Sequence, residues 1–399
     1  MLFCCYMGFF SWNIRRPHPL AGWMLLIGVV TGGLSGWISA SVYVDPILTD
    51  LATRTQIVTT ATTTPETPTG PTVISATGPA PGTIMYPPAL VTRRLSPVAT
   101  IAKKPTSVTE DTLIADEQHV GSAVAITSDG WFASVASVFK NVRVADVVVL
   151  WQGKTYPITK AVRDTATDAV YLKTAITGLP TSAFAEPQDM SVGLAVWTEP
   201  VAQRIYPNAL VDLRAPVMID PVLSEHAARR FLVDGSVDTL FGGAVWDERG
   251  QLVGLVESKT KEGWRVLPAG DLRTALSSLL ANGEIRHASL GVRASDLARL
   301  TFGIATTTRN ASNKGAWIRT DRRTNQPAVI AGGAAGKVLK EGDVIERIDR
   351  DILGGSADLG EILLEYRPGT QVTLAIARKG ESLEIPVTLG SYNAAELLK

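Results

Sequence analysis

The sequence predicts a mainly β protein: an N-terminal apolar helix followed by two folded units, the second of them α+β. Three observations carry this. Residues 20–44 are uncharged and long enough to cross a bilayer, residues 86–284 hold short apolar runs between turn residues, and residues 285–392 combine such runs with one amphipathic helix. A chain of 399 residues exceeds the usual single domain, so more than one unit is expected. Lys plus Arg equals Asp plus Glu at 38 each, which leaves no basic surplus to neutralise phosphates and argues against nucleic acid as a partner. Cys4 and Cys5 are adjacent and the four histidines are scattered. Neither a disulfide framework nor a metal-ligand cluster follows, and no cofactor and no metal are expected.

Taken in order, residues 1–19 carry Arg15 and Arg16, whereas Asp45 and Asp50 follow the apolar stretch Leu20–Val44. The positive-inside rule makes 1–19 a cytoplasmic N-terminus, 20–44 a transmembrane helix and everything later extracytoplasmic: a single-pass protein of the cell membrane. A cleaved signal peptide is the alternative, with Ile38-Ser39-Ala40 as a weak cleavage site. Gly28, Gly32, Gly36 and Ala40 line one face at four-residue spacing, a pattern that permits a second helix to approach closely. Residues 45–85 are dominated by Thr, Pro, Ala and Gly and read as a semi-stiff linker.

From residue 86 the texture is β. Val120–Ile126 and Trp131–Phe139 flank Ser128-Asp129-Gly130, Val147–Trp151 and Thr155–Ile158 flank Gln152-Gly153, and Ala244–Trp246 and Leu252–Val256 flank Asp247–Gln251. Hairpins at this spacing suggest a barrel or a sandwich. The unit should close with a helix in which Asp271 is the N-cap, Leu272, Ala275, Leu276 and Leu279 form the apolar face, and Gly283 is the C-cap. In the second unit Leu359, Ile362, Leu363 and Tyr366 share a helix face that Pro368-Gly369 ends. Alternating residues Val372, Leu374 and Ile376, a Lys379-Gly380 turn, then Leu383, Ile385, Val387 and Leu389 predict a hairpin, and residues 393–399 read as a C-terminal tail.

The order of these segments resembles the HtrA/Deg family of envelope serine proteases, a trypsin-like double β-barrel followed by a PDZ domain. LSPVATIAKK resembles the family's opening strand, GSAVAITSDGWFASVASVF the strands that deliver the catalytic histidine, and DTATDAVYLK the aspartate segment. FLVDGSVDTLFGGAVWDERGQLVGL resembles the nucleophile loop, and RVLPAGDLRTALSSLLANGEIRHASLGV the closing helix running into the PDZ domain. The resemblance implies a trypsin-like domain at 86–284 and a PDZ domain at 285–392.

It also implies an impaired active site. Acyl transfer needs a serine hydroxyl, an imidazole base, a carboxylate to orient that base and N–H donors for the oxyanion. Ser137 stands at the histidine position, Phe241 at the serine position before Gly242-Gly243, and Thr239 at the glycine of the oxyanion hole; only Asp168 is retained. The stretch from Asp234 to Gly242 is also one residue shorter than the family's. Without a histidine partner, Asp168 reads as the acceptor that fixes the turn before AVYLK. Phe241 reads as a core residue filling the vacated pocket.

In a PDZ domain a peptide adds as a strand and its terminal carboxylate is captured by backbone N–H groups. By resemblance the capturing loop is Ser289-Leu290-Gly291-Val292, where a side chain at 291 would crowd the carboxylate. The groove walls would be Val292, Arg293 and Ala294 on the strand side and Leu359, Ile362 and Leu363 on the helix side, with Leu363 read in the first place as plain core. The segment Arg319–Ala335 is longer and more polar than the family's equivalent.

The combined expectation is a membrane-anchored, inactive HtrA-like pseudoprotease that binds C-termini or exposed strands of envelope proteins through its PDZ domain, as scaffold or regulator. The alternative is an active HtrA-like serine endopeptidase of envelope protein quality control with displaced residues, His226 as base and Ser236 or Ser137 as nucleophile. A purely structural anchor is the third reading. Expected partners are protein or peptide C-termini, the membrane through one helix, and either copies of the chain, as the resembled family's trimers suggest, or an active relative.

Overall fold

A computed structural model describes residues 86–105, 114–216, 221–235, 241–299, 314–354 and 357–398. The predicted membrane helix at 20–44 and the linker at 45–85 lie outside them, and no helix among the described residues is long and apolar enough to cross a membrane.

After a one-turn helix, α1 (Pro88–Val91), the first sheet is built from β1 (Val98–Lys103), β2 (His119–Ala125), β3 (Trp131–Val135), β4 (Val147–Trp151), β5 (Lys154–Pro157), β6 (Lys160–Asp164) and β7 (Ala169–Lys173). Their order across the sheet is β6-β7-β3-β2-β1-β4-β5, all antiparallel. Gln152 and Gly153 both adopt positive φ, 50° and 73°, as the predicted two-residue turn between β4 and β5 requires. The strand expected to run to Phe139 stops at Val135 and passes into a 3-10 turn over Ala136–Phe139. Its partner β7 begins only at Ala169, so the amide of Ala136 turns instead to the carbonyl of Asp168, at 2.9 Å.

The second sheet closes into a barrel of β8 (Ala195–Val201), β9 (Arg204–Pro216), β11 (Arg229–Val233), β12 (Ala244–Trp246), β13 (Leu252–Lys259) and β14 (Trp264–Pro268). Between β9 and β11 the chain leaves the barrel and forms a two-residue strand, β10 (Val222–Leu223). Phe132, Tyr171, Trp246, Leu255 and Leu272 fill one core, and Val196, Leu210, Phe231, Val256 and Val266 a second. Strand β8 also carries the fully buried carboxylate of Glu199. It accepts from Arg93 at 2.5 Å, Ser96 at 2.7 Å, the amide of Gln203 at 2.7 Å and the indole N–H of Trp246 at 2.8 Å. A buried charge is tolerated only when its lone pairs are met in this way.

Helix α2 (Ala269–Asn282) follows β14 without a loop. Its N-cap is Pro268, not Asp271 as expected: the last residue of β14 is already extended, at φ −61° and ψ 140°, so the helix begins at Ala269, three residues earlier. Gly283 closes it in the left-handed conformation, φ 72°, as predicted.

The C-terminal unit comprises β15 (Arg286–Ser289), β16 (Arg293–Asp296), β17 (Ala316–Ile318), β18 (Val344–Ile348), β19 (Asp351–Ile352), α3 (Leu359–Glu365), β20 (Gln371–Arg378), β21 (Glu381–Thr388) and β22 (Gly390–Asn393). Its main sheet runs β10-β16-β17-β18-β20-β21, with β19 on β18, and so takes in the strand that left the barrel; β15 and β22 pair separately. Asp358 and Glu361 form a reciprocal capping box at the start of α3. Residues 393–399, expected as a tail, instead contribute β23 (Ala395–Leu397), which pairs with Val162–Asp164 on the free edge of β6. An exposed edge of unpaired amides is thereby covered.

Ionisable groups gather where α2, α3 and β11 meet. Arg230 is buried and forks onto Glu257 at 3.0 Å through two nitrogens, and Arg229 pairs with Glu361. Burial pushes the carboxyl of Asp271 up to about 7, opposed by Arg230 and Arg229 and reinforced by Asp358 and Asp164. Burial likewise raises Asp358 and Glu361.

Two outcomes follow from these buried carboxylates. Glu199→Ala strands Arg93 and the Trp246 indole without their acceptor and should lower the unfolding free energy by about 3–5 kcal/mol, measured by denaturant titration. Asp271 has a folded pKa above its unfolded value, so the folded state holds the extra proton between about 4 and 7 and stability rises as pH falls through that window. Thermal unfolding from pH 8 to pH 5 should show this rise, and Asp271→Asn should reduce it; an unchanged slope would remove Asp271 as its source.

Candidate functional site

The β6–β7 turn brings Asp168 to the mouth of a cavity of about 370 Å³ that Ala136, Ser137, Phe139, Lys140 and Leu398 also line. Asp168 has φ 66°, the left-handed region that a short polar side chain tolerates. Its carboxylate is half-exposed and engaged by Arg163, whose Nη2 and Nε lie 2.6 and 3.1 Å from Oδ1. The turn itself is fixed not by Asp168, as expected, but by Asp164. That buried carboxylate accepts from the amide of Ala166 and the hydroxyl of Thr167, both at 2.9 Å. Asp164 lies two residues before the amide it binds, the spacing of an Asx turn, whereas the side chain of Asp168 points out of the turn toward Arg163.

Ser137 donates to the carbonyl of Glu257 at 2.6 Å. Phe241 is half-buried, touches both barrel cores and meets the Trp264 ring edge-on at 6.5 Å, in agreement with the core role expected for it. Its carbonyl accepts from the amide of Ser122 at 2.7 Å. Gly242 follows at φ 82°, where a Cβ would run into the Ser122 carbonyl. This glycine is therefore required by the approach of two sheets, whatever residue precedes it. Ser236 and Thr239 lie outside the described residues.

None of the described histidines lines this cavity. His119 faces Asp116 at 3.7 Å, and buried His287 bonds Asp164 at 2.9 Å. His226, the base of the alternative reading, is half-buried with its ring 6.1 Å from that of Tyr392, and desolvation lowers its pKa. The cavity thus combines a hydroxyl already bonded to a carbonyl with a carboxylate held by a guanidinium, and among the described residues no imidazole lines it. Among the described residues no His, Cys, Asp or Glu cluster is placed to hold a metal ion.

The loop Ser289–Val292 presents a different arrangement. Leu290 and Val292 point into the core of the C-terminal unit, as do Ile362 and Leu363 from α3. Gly291 has φ 76°, and a Cβ there would lie 2.9 Å from the Cα of Gly333. The three atoms nearest that Cβ belong to Gly333 and Ile330 on the neighbouring turn, whereas the donors of the loop meet a different segment. On that donor side the Gly291 amide and the Ser289 hydroxyl both bond one carboxylate oxygen, Oε1 of Glu225, at 2.7 and 2.6 Å.

Glu225 arrives on the segment that left the barrel. Val222 and Leu223 pair antiparallel with Ala294 and Arg293, the Ser224 amide donates to the Val292 carbonyl at 2.8 Å, and the Val292 amide donates to the Ser224 hydroxyl at 3.2 Å. Between this segment, Ala294 and the N-terminal end of α3 remains an apolar cavity of about 230 Å³, lined by Leu359 among others. Of the predicted peptide-binding residues, Ala294 and Leu359 line this cavity, Ser289 and Gly291 bond the Glu225 carboxylate and Arg293 pairs with Leu223, whereas Leu290, Val292, Ile362 and Leu363 lie in the core. Sequence reading missed Glu225, because SEHAARRF looks like a solvated stretch; in the fold Ser224, Glu225, Ala227, Ala228 and Arg230 are all buried.

No protein-family profile matches the chain. Among curated proteins it is 28% identical over 159 residues to the serine protease Do-like HtrA of Lactobacillus helveticus, covering 37% of each chain. It is 27% identical to the periplasmic pH-dependent serine endoprotease DegQ of Escherichia coli, over 39% of this chain and 33% of that one. These matches span little more than a third of either relative. A longer match, 24% identical over 69% of this chain and 78% of the other, is to the serine endoprotease DegS of Haemophilus influenzae. Among solved structures, the HtrA-type protease AlgW with a tripeptide superposes with a TM-score of 0.56 at 18% identity, over 76% of this chain and 96% of that one, a likeness of fold. With a decapeptide the same protease gives a TM-score of 0.54. By sequence the chain is thus similar to HtrA-type serine proteases, and over about three quarters of its length it shares their fold.

Proposed function

We propose that this chain is a membrane-anchored HtrA-like pseudoprotease whose C-terminal unit is a PDZ domain that binds peptide C-termini of envelope proteins. The observation that carries the reading is the convergence of the Gly291 amide and the Ser289 hydroxyl on one carboxylate oxygen, beside a strand edge and a helix that together form a groove. Carboxylate capture with strand addition is a recurring mode of peptide recognition, and charge-assisted bonds of this kind are the strong ones. The name of the Escherichia coli relative places that protein in the periplasm, which supports an extracytoplasmic location here. The uncharged stretch at 20–44 would supply the anchor. Loss of proteolysis is supported by Ser137 and Phe241 at the histidine and serine positions and by the pairing of Asp168 with Arg163.

Two experiments test this reading on the full chain in detergent micelles. An array of decapeptides ending in apolar residues, each synthesised with a free carboxylate and as the amide, should show at least about a tenfold preference for the carboxylate form, since the amide loses the charge-assisted bonds. Equal affinity would refute carboxylate capture. Incubation with unfolded casein, followed by mass spectrometry, should yield no fragments above background. Fragments that disappear in Asp168→Ala would overturn the pseudoprotease and favour an endopeptidase with displaced residues.

A further inference from the structure

The groove just described is already filled, and the occupant belongs to the same chain. Val222 and Leu223 add to β16 in the antiparallel sense, Ser224 continues the pairing to Val292, and the next residue delivers a carboxylate to the loop donors. A strand followed by a carboxylate is the pattern that an incoming peptide end would present. Here the carboxylate is a side chain, and the backbone turns away beyond it: the His226 amide folds back to the Leu223 carbonyl at 3.0 Å, and that of Ala227 bonds the Ala166 carbonyl on the first sheet at 3.0 Å.

A second, independent feature shows that the groove is shaped around this segment. Gly360 lies in the first turn of α3, where a helix gains about 1 kcal/mol from alanine over glycine. A Cβ at this position would run into the carbonyl of His226, with the Ala227 nitrogen 3.1 Å away. The missing methyl is the space through which the segment passes.

The occupancy is also incomplete. Glu225 is buried, yet its Oε2 has no hydrogen-bond partner, and the apolar cavity beside Leu223 and Leu359 stays open. The segment meets the loop donors but leaves part of the carboxylate unsatisfied, a cost that a ligand satisfying both oxygens would not carry.

From these contacts we infer that residues 222–226 are a cis-acting plug: Glu225 occupies the carboxylate site, and a peptide end binds only when this segment leaves. The inference rests on the PDZ reading above and adds its regulation. The apparent affinity for a peptide is then the intrinsic affinity multiplied by the fraction of molecules with an open groove, so weakening the plug tightens binding without any new contact.

The test compares the full-length chain in micelles with Glu225→Gln, Glu225→Ala and Gly360→Ala. The probes are the free-carboxylate decapeptides and hydrogen exchange at residues 221–228 and 289–292. Glu225→Gln preserves volume and so guards against misfolding of the alanine variant, while Gly360→Ala disturbs the segment without touching the carboxylate or its donors. The expected result is faster exchange at both segments and apparent peptide affinity at least about tenfold higher in the Glu225 variants, with Gly360→Ala changing exchange in the same direction. Faster exchange with unchanged, measurable peptide affinity overturns the plug and leaves the PDZ reading standing. Faster exchange with no peptide bound by any variant overturns the PDZ reading and, with it, the plug. Exchange that stays slow in both Glu225 variants overturns the role of the carboxylate.

Discussion

A backbone amide taken out of water must find an acceptor, and in this molecule the connection from β9 to β11 finds its acceptors on another sheet. Strand β10 joins β16, Ser224 exchanges hydrogen bonds with Val292, and Ala227 reaches the β6–β7 turn. Much else depends on this crossing. It brings Arg229 and Arg230 into the interior, where Glu361 and Glu257 neutralise them, and it draws Asp271, Asp358 and Glu361 into mutual range. Charges at such a junction persist because each has a partner, and removing one partner costs more than the pair contributes.

The barrel part is held by contacts that do not depend on any reaction. Gly242 is held by the Ser122 carbonyl and by its own bond to Val256, and the carbonyl of Phe241 is bonded to β2, so the loop geometry is a packing matter. The aromatic ring joins both cores through Trp264 and Trp246's cluster without requiring a nucleophile at that position. Arg163 gives Asp168 its counter-ion. The frame and the reaction are separable, and here the frame rests on contacts that acyl transfer does not use.

Where sequence reading succeeded, the signal was local. Gln152-Gly153 and Lys379-Gly380 adopt the positive φ pairs that two-residue turns demand, and Gly283 ends its helix for the same steric reason. Where it failed, a distant partner decided the outcome. Asp271 looked like an N-cap, but β14 runs into the helix through Pro268 and leaves the carboxylate buried inside the first turn. Strand β10 has two residues, too few for any periodicity, and β23 is called into being by the free edge of β6. Glu225 carries no spacing signal at all, because its function is defined by donors 64 and 66 residues away.

The strand β23 has a consequence for how the C-terminal unit can move. The chain enters that unit after Gly283 and returns from it at Ala394, whose amide bonds the carbonyl of Ile285 at 3.0 Å, so entry and exit are stitched together beside the first sheet. A unit held at both ends from one point cannot separate from the first sheet while these pairings persist. Whatever opens the groove, the segment that fills it therefore remains close by, as a tethered competitor at an effective concentration on the order of millimolar. A soluble ligand is measured against that local concentration, so the stitching of the chain ends, as much as the fit of the groove, determines which ligands bind.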